Sequence, residues 1–273
     1  LINAKALEKI LTGRIACHSC PIGCGRKVSV PEFDLDNIAG PEYQTLAAFG
    51  TNLLISDLKK IVLMNRLCNQ YGMDTISCGS TIALAAHLTE TGKANYNIRW
   101  NDPDRVLEII HSIARRDGIG NVLAEGSVAL GKKHNAENLV LHVKGLEIPN
   151  HDPRAFSGMA TVYVMASRGA THLEGDMYSV DMGADVRELG IVAGDRLENE
   201  GKGATAAKAQ DFRAFFDSVI MCHFAIVPPQ KIVDLLNLAI GRSYSLQDIL
   251  NIGGRSVTMK RIFNLGAGLD RKD

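Results

Sequence analysis

Apolar positions recur three and four residues apart through most of the chain, the spacing of helices that bury one face. This periodicity predicts helices over 3–13, 41–54, 57–71, 75–91, 104–117 and 121–134, then over 160–167, 185–193, 204–223, 231–240 and 246–263. The punctuation agrees. Gly72 and Gly92 stand where helices end, Pro103 stands where one begins, and Gly118-Ile119-Gly120 separates two periodic runs. Residues 139–143 alternate like a short strand, and 14–30, rich in Cys, Gly and Pro, reads as a loop with a short extended end. Near Lys144-Gly145 the composition shifts to Pro149, Pro153 and several glycines. The expectation is therefore a mainly α chain of two helical domains, 1–145 carrying the Cys-rich loop and 146–273 following it.

Composition narrows the function classes. The chain has 273 residues, 46% of them hydrophobic, enough for one large domain or two ordinary ones. Aromatic content is 5% against 26 glycines, which suits helices joined by tight turns better than a β-sandwich. Thirty Lys plus Arg balance thirty Asp plus Glu, so no basic footprint marks a nucleic acid or an anionic membrane as a partner. Runs such as 82–86 fall far short of the roughly 18 apolar residues that cross a bilayer. The chain has neither an initial Met nor a basic-then-apolar leader, and is expected to start inside a longer chain or after processing. It shows no repeat and no G-x-G-x-x-G loop.

Six cysteines carry the first chemical signal: Cys17, Cys20 and Cys24 crowd together, while Cys68, Cys78 and Cys222 are scattered. Bridges between residues three and four apart would be strained, so a reducing, cytoplasmic setting is expected. Three thiolates within one short loop can close on one soft metal centre. A structural zinc would ordinarily show a second close Cys or His pair, which leaves zinc open only if His18 or a distant residue completes it. Ligand softness and the C-x2-C-x3-C spacing favour a [4Fe–4S] cluster. The radical-SAM order, C-x3-C-x2-C, does not match. Buried structural thiols have no reason to crowd a polar, glycine-containing loop. A fourth ligand would come from Cys68, in an apolar helical run, from Cys78, before Gly79-Ser80, or from Cys222, which closes Asp217-Ser-Val-Ile-Met-Cys222.

Six segments together resemble the aldehyde:ferredoxin oxidoreductase family of tungsten enzymes. They are Cys17-His-Ser-Cys-Pro-Ile-Gly-Cys24, Gly40-Pro-Glu-Tyr43, Cys68-Asn-Gln-Tyr-Gly-Met-Asp-Thr-Ile-Ser77, Lys144-Gly-Leu-Glu-Ile-Pro149, Ser167-Arg-Gly-Ala-Thr-His172 and Arg261-Ile-Phe-Asn264, in the family's order. The resemblance covers the two C-terminal, mainly helical domains, and implies that a pterin-binding N-terminal domain is missing from this sequence. It implies a tungsten or molybdenum ion held by two pterins and a neighbouring [4Fe–4S] cluster that passes electrons to ferredoxin. Carried over by position, Cys17, Cys20, Cys24 and Cys222 would ligate the cluster. Asn69, Asp74, Thr75, Asp217, Met221, Cys222 and Arg168 would contact the pterins. Arg154 is a further candidate for a pterin phosphate, against a plain surface salt bridge.

The family's pterin-gripping pattern is Asp-x-x-Gly-Leu-(Asp/Cys), and both counterparts here depart from it. Asn69 replaces an acid and Ile220 replaces a glycine. Asp74 also reads as the N-cap of the helix that follows it, a role compatible with a pterin contact. Glu42 and His172 match the family's acid/base positions, although Glu42 after Pro41 also suits a helix first turn and His172 a satisfied polar histidine. His151 stands where many members carry Tyr, and unlike Tyr it titrates near neutrality. Substrate preference is expected to differ accordingly. The resemblance therefore implies oxidation of aldehydes to acids, with reduction of another substrate such as an aromatic thioester, or an inactive cluster-binding fragment, as the other readings. Glu108 and His111 lie one helical turn apart and match residues that bind a metal at a twofold interface in some members, implying a possible homodimer; a surface contact is the simpler reading.

Overall fold

The expected helix over 3–13 is cut short, because from Leu11 onward the pattern changes from period 3.6 to period 2. The computed structural model describes residues 1–269. In it, helix α1 spans Ala4–Glu8, with the Asn3 side chain accepting from Ala6 N at 3.0 Å. Strand β1, Leu11–Ile15, follows. It pairs antiparallel with β2, Gly25–Val30, and β2 with β3, Leu35–Ala39, giving the order β1-β2-β3. The expected loop over 14–30 is thus confined to 16–24, and its extended end is β2. Alternation aims Val28 and Val30 inward, where both are fully buried beside Leu7, Leu35, Leu58 and Val62.

Helix α2, Tyr43–Leu46, runs into a single wider turn, Ala47–Thr51. There the Asn52 N–H reaches back five residues to the Ala47 carbonyl at 2.9 Å. Helix α3, Leu58–Tyr71, starts on an Asp57 cap, and α4, Thr75–Glu90, is buried on nearly every face. Helix α5, Pro103–Arg115, begins at a proline as read and buries Val106, Ile109 and Ile110. The expected 121–134 helix is two, α6 Ile119–Leu123 and α7 Gly126–Lys133, broken at Gly126 with φ +84°. Phe49, Ile61, Ile82, Leu88, Ile109 and Leu130 form the core of this unit, Leu1–Leu141.

The second unit, His142–Asp273, opens on a two-residue ladder of β4, His142–Val143, and β5, Leu146–Glu147. The turn between them uses left-handed Lys144 and Gly145, as tight hairpins require. The strand expected over 139–143 is thereby displaced, and Glu137–Leu139 is a 3-10 turn. Helices α8, Ser157–Met165, α9, Met177–Asp181, α10, Lys202–Ser218, α11, Pro229–Ile240, and α12, Leu246–Gly266, complete it. The helix expected over 185–193 is a 3-10 turn, Arg187–Leu189, stopped by left-handed Gly190 and closed by a Val186–Ile191 bridge. Its core gathers Met159, Tyr163, Met177, Phe215, Phe216 and Ile249. Helices α10 and α12 cross backbone to backbone: a Cβ on Gly253 would overlap the Asp211 carbonyl. Lys202 and Asp181 form a buried ion pair, and Asp181 also accepts from Gly158 N at 3.0 Å. Among the described residues, no helix is long and apolar enough to cross a membrane.

Candidate functional site

The three clustered cysteines lie in the connection between β1 and β2. Cys17 and Cys24 are exposed and Cys20 half-buried, and all three thiols are free. A turn closes on itself where Cys20 N donates to the Cys17 carbonyl at 3.0 Å, with Ser19 and Gly23 left-handed. Arg14, on β1, straps the far side of the loop: its Nε and Nη2 donate to the carbonyls of Gly23 and Ile22 at 2.9 and 2.7 Å. Backbone N–H groups of Gly23 and then Ile22 turn toward the Cys20 sulfur and hold its thiol below the usual range. N–H donors aimed at sulfur stabilise a thiolate, the form that ligates metal. The loop therefore suits a thiolate-bound cluster. Among the described residues, no three His, Cys, Asp or Glu side chains are drawn together as a metal site.

The two segments matched to pterin contacts fold as the same helix ending. At the end of α3, Met73 N bonds the Cys68 carbonyl at 2.9 Å and Gly72 is left-handed, φ +68°. At the end of α10, Met221 N bonds the Phe216 carbonyl at 2.9 Å and Ile220 is left-handed, φ +56°. Each is a six-to-one closure that satisfies orphaned carbonyls at a helix terminus. Glycine serves this at the first end; a β-branched residue is forced into it at the second. After the closures come Asp74, whose carboxylate caps α4 by accepting from Ser77 N at 2.7 Å, and Cys222, whose sulfur accepts from Phe224 N at 3.4 Å. Asn69, Asp74, Asp217 and Cys222 are all exposed, with donors and acceptors available to a ligand. Met221 is half-buried, and Thr75 Oγ1 lies 2.8 Å from Thr45 Oγ1.

The second unit also collects a polar cluster around two imidazoles. His151 and His172 meet edge to face at 5.2 Å between ring centroids, and Tyr178 lies tilted over His151 at 4.3 Å. Burial holds His172 down to about 4, helped by His151 beside it, so the ring is neutral at pH 7. Burial likewise lowers His151, and the Asp176 carboxylate opposes both shifts. The buried Nδ1 of His172 finds no hydrogen-bond partner within the chain. An orphaned, buried imidazole nitrogen is costly unless a ligand meets it. Arg213 on α10 donates to Asp176 at 2.6 Å and stacks its guanidinium 5.3 Å from the Phe216 ring. Sequence reading missed Tyr178, Asp176 and Arg213. The first two continue the Ser167–His172 segment closely enough to have been suspected; Arg213 gave no signal.

Other expected residues are already engaged. Glu42 sits at the N-cap position of α2 without capping it, and its exposed carboxylate pairs with Arg26 of β2. The Arg26 Nε is buried without a partner in the chain. Arg168 donates to Thr171 Oγ1 at 2.6 Å, and Arg154 is paired with Asp152 at 2.7 Å. Glu108 accepts from Arg105 at 2.7 Å, and Tyr71 Oη lies 2.7 Å from His111 Nδ1, so both are held by neighbours in their own unit.

The chain is mainly helical and carries a thiol-bearing hairpin, two alike helix endings and a half-buried imidazole pair. The chain belongs to the family described as aldehyde ferredoxin oxidoreductase, domains 2 & 3, which matches over residues 1–273, and that family is one of oxidoreductases. It is 35% identical to the tungsten-containing aldehyde ferredoxin oxidoreductase of Pyrococcus furiosus, over 96% of this chain and 44% of that protein. It is 27% identical to the aliphatic sulfonate oxidoreductase, WOR-like subunit, of the same organism, over 93% of this chain and 40% of that one. The chain spans less than half the length of these curated relatives. Among solved structures, a chain of the active site complex of benzoyl coenzyme A reductase with 1,5 dienoyl-CoA shares the fold: TM-score 0.73, 18% identity, 98% of this chain and 47% of that one.

Proposed function

We propose that this chain is the helical portion of a tungsten or molybdenum bis-pterin oxidoreductase that converts aldehydes to carboxylic acids and passes electrons through a [4Fe–4S] cluster to ferredoxin. Aldehyde plus water yields the acid, two protons and two electrons. The metal-pterin group, when bound, takes the electron pair. The chain's own residues must then hold the cofactors, orient the aldehyde and move the protons.

In this reading Cys17, Cys20, Cys24 and Cys222 are the thiolate ligands of the cluster. The N–H donors at Cys20 and Cys222 support it. Asn69, Asp74 and Thr75 at one helix ending, and Asp217, Met221 and Cys222 at the other, grip the pterins, with Arg168 a phosphate partner. His172 is the proton acceptor. Its neutral ring offers one nitrogen as acceptor to a water proton, while the other N–H can donate to the aldehyde oxygen. His151 orients substrate beside it, and Glu42 is the second carrier of protons. The observation that carries the proposal is the orphaned, neutral His172 imidazole, a group prepared for a partner the chain does not contain.

The test is metal analysis of the anaerobically purified full-length protein, followed by aldehyde-dependent dye reduction. About four Fe with one W or Mo per chain, and turnover lost in His172→Gln, are the expected results. Zinc alone, or no metal, would refute the assignment. A second reading, action on a substrate other than an aldehyde, is favoured by His151, an imidazole stacked on Tyr178 where many members carry Tyr. It would show as full metal content without aldehyde turnover.

A further inference from the structure

The Asp176–Arg213 ion pair has no part in the proton transfer described above, yet it adjoins α9, whose Tyr178 lies over His151. Asp176 occupies a left-handed conformation, φ +36° and ψ +45°, immediately before α9. A non-glycine residue there is strained and persists only if its surroundings hold it. The hold is visible: Arg213 donates to Asp176 Oδ2 at 2.6 Å, and Ser179 Oγ donates to the same carboxylate at 3.3 Å. Both members of the pair are largely shielded, with side chains 27% and 18% exposed. Arg213 is itself braced by Phe216 and by the His223 carbonyl at 3.4 Å. Two residues beyond Asp176, Tyr178 lies over His151, and His151 meets His172.

We propose that Asp176 and Arg213 are positioning residues that set the proton affinity of the His151–His172 pair: Asp176 fixes α9 and Tyr178 against His151 and supplies negative charge to both rings, and Arg213 determines how much of that charge they feel. The inference rests on the catalytic reading of His172 for its purpose, but not for its physics. The charge of Asp176 acts on both rings; His172 also feels His151, Arg168 and His223, and His151 meets the rings of His172 and Tyr178. Asp176 is the anion among them, so removing it and removing its counterion must act in opposite directions.

The experiment is histidine Cε1 hydrogen–deuterium exchange against pH, read by mass spectrometry for each histidine in the full-length protein. Asp176→Asn is expected to lower the midpoint of His151, and that of His172 where it is still reached, by about half a pH unit or more. Arg213→Gln, which leaves the carboxylate uncompensated, is expected to raise both by a similar amount. General loosening of the fold would expose the rings and move both variants the same way, toward the free-histidine value. Shifts of one sign in the two variants, or no shift in either, overturn the proposal. Because the readout is the titration of the chain's own imidazoles, it stands apart from aldehyde turnover: a failure of the functional reading leaves opposed shifts intact, and the absence of opposed shifts leaves that reading untouched.

Discussion

Ile220 is the residue whose replacement most sharply tests the account of the helix endings. It is left-handed at φ +56°, its N–H bonds the Asp217 carbonyl at 3.2 Å, and its side chain is 94% exposed. A β-branched residue held there costs about 1–2 kcal/mol. Replacing it with glycine removes that cost, forfeits almost no buried apolar area, and adds about 0.5–1 kcal/mol of unfolded-chain freedom. The balance favours Ile220→Gly by about 1 kcal/mol, or about 2–4 °C in the melting midpoint of a domain this size. Ile220→Asn, which tolerates the left-handed region without the entropic loss, should gain at least as much. Circular dichroism melts of the whole protein, with hydrogen exchange at the last amides of α10, supply the measurement. A lower midpoint and faster exchange in both variants would refute the strain argument and show that Ile220 makes a contact worth more than its backbone costs.

Further outcomes follow from the same geometry. Lys202→Met strands the Asp181 carboxylate in the core and should cost about 3 kcal/mol in urea unfolding, part of which Asp181→Asn restores in the double variant. His172, held at about 4, binds its proton more weakly folded than unfolded. Its contribution to stability is thus complete above the free-histidine value of about 6.5 and is lost as pH falls from there toward 4. Urea midpoints at pH 7 and 5 should therefore diverge less in His172→Gln than in the parent protein. Arg14→Ala removes both straps on the cysteine loop and, in the proposed cluster-bearing protein, should speed iron loss to a chelator without costing more than about 1 kcal/mol of stability; unchanged iron retention would show that the loop holds its shape unaided.

The helical layers were legible because their signals are long and redundant. Helix α5 combines Pro103, an Asp102 cap and buried Val106, Ile109 and Ile110, so three independent cues agree. The three-stranded sheet was legible only as a short extended end to the cysteine loop, since its strands are five or six residues long and β1 begins inside the run read as helix. Helix α9 was too short for periodicity, and residues 185–193 have helical spacing that Gly190 overrides in three dimensions. The site shows the same division. Asp74 as a cap follows from its position before Thr75, whereas Arg213 meeting Asp176 depends on how α10 packs against the turn before α9, which no local pattern encodes.

The contact of Gly253 with the Asp211 backbone has a mechanical consequence. Helices separated by side chains can slide as rotamers change; here carbonyl meets α-carbon, and the separation has no adjustable layer. The turn at Asp217–Cys222 hangs from the end of a helix clamped less than two turns earlier. It borrows the stiffness of the crossing, so the entropy of ordering those residues is spent when the chain folds and is not charged again when a ligand arrives.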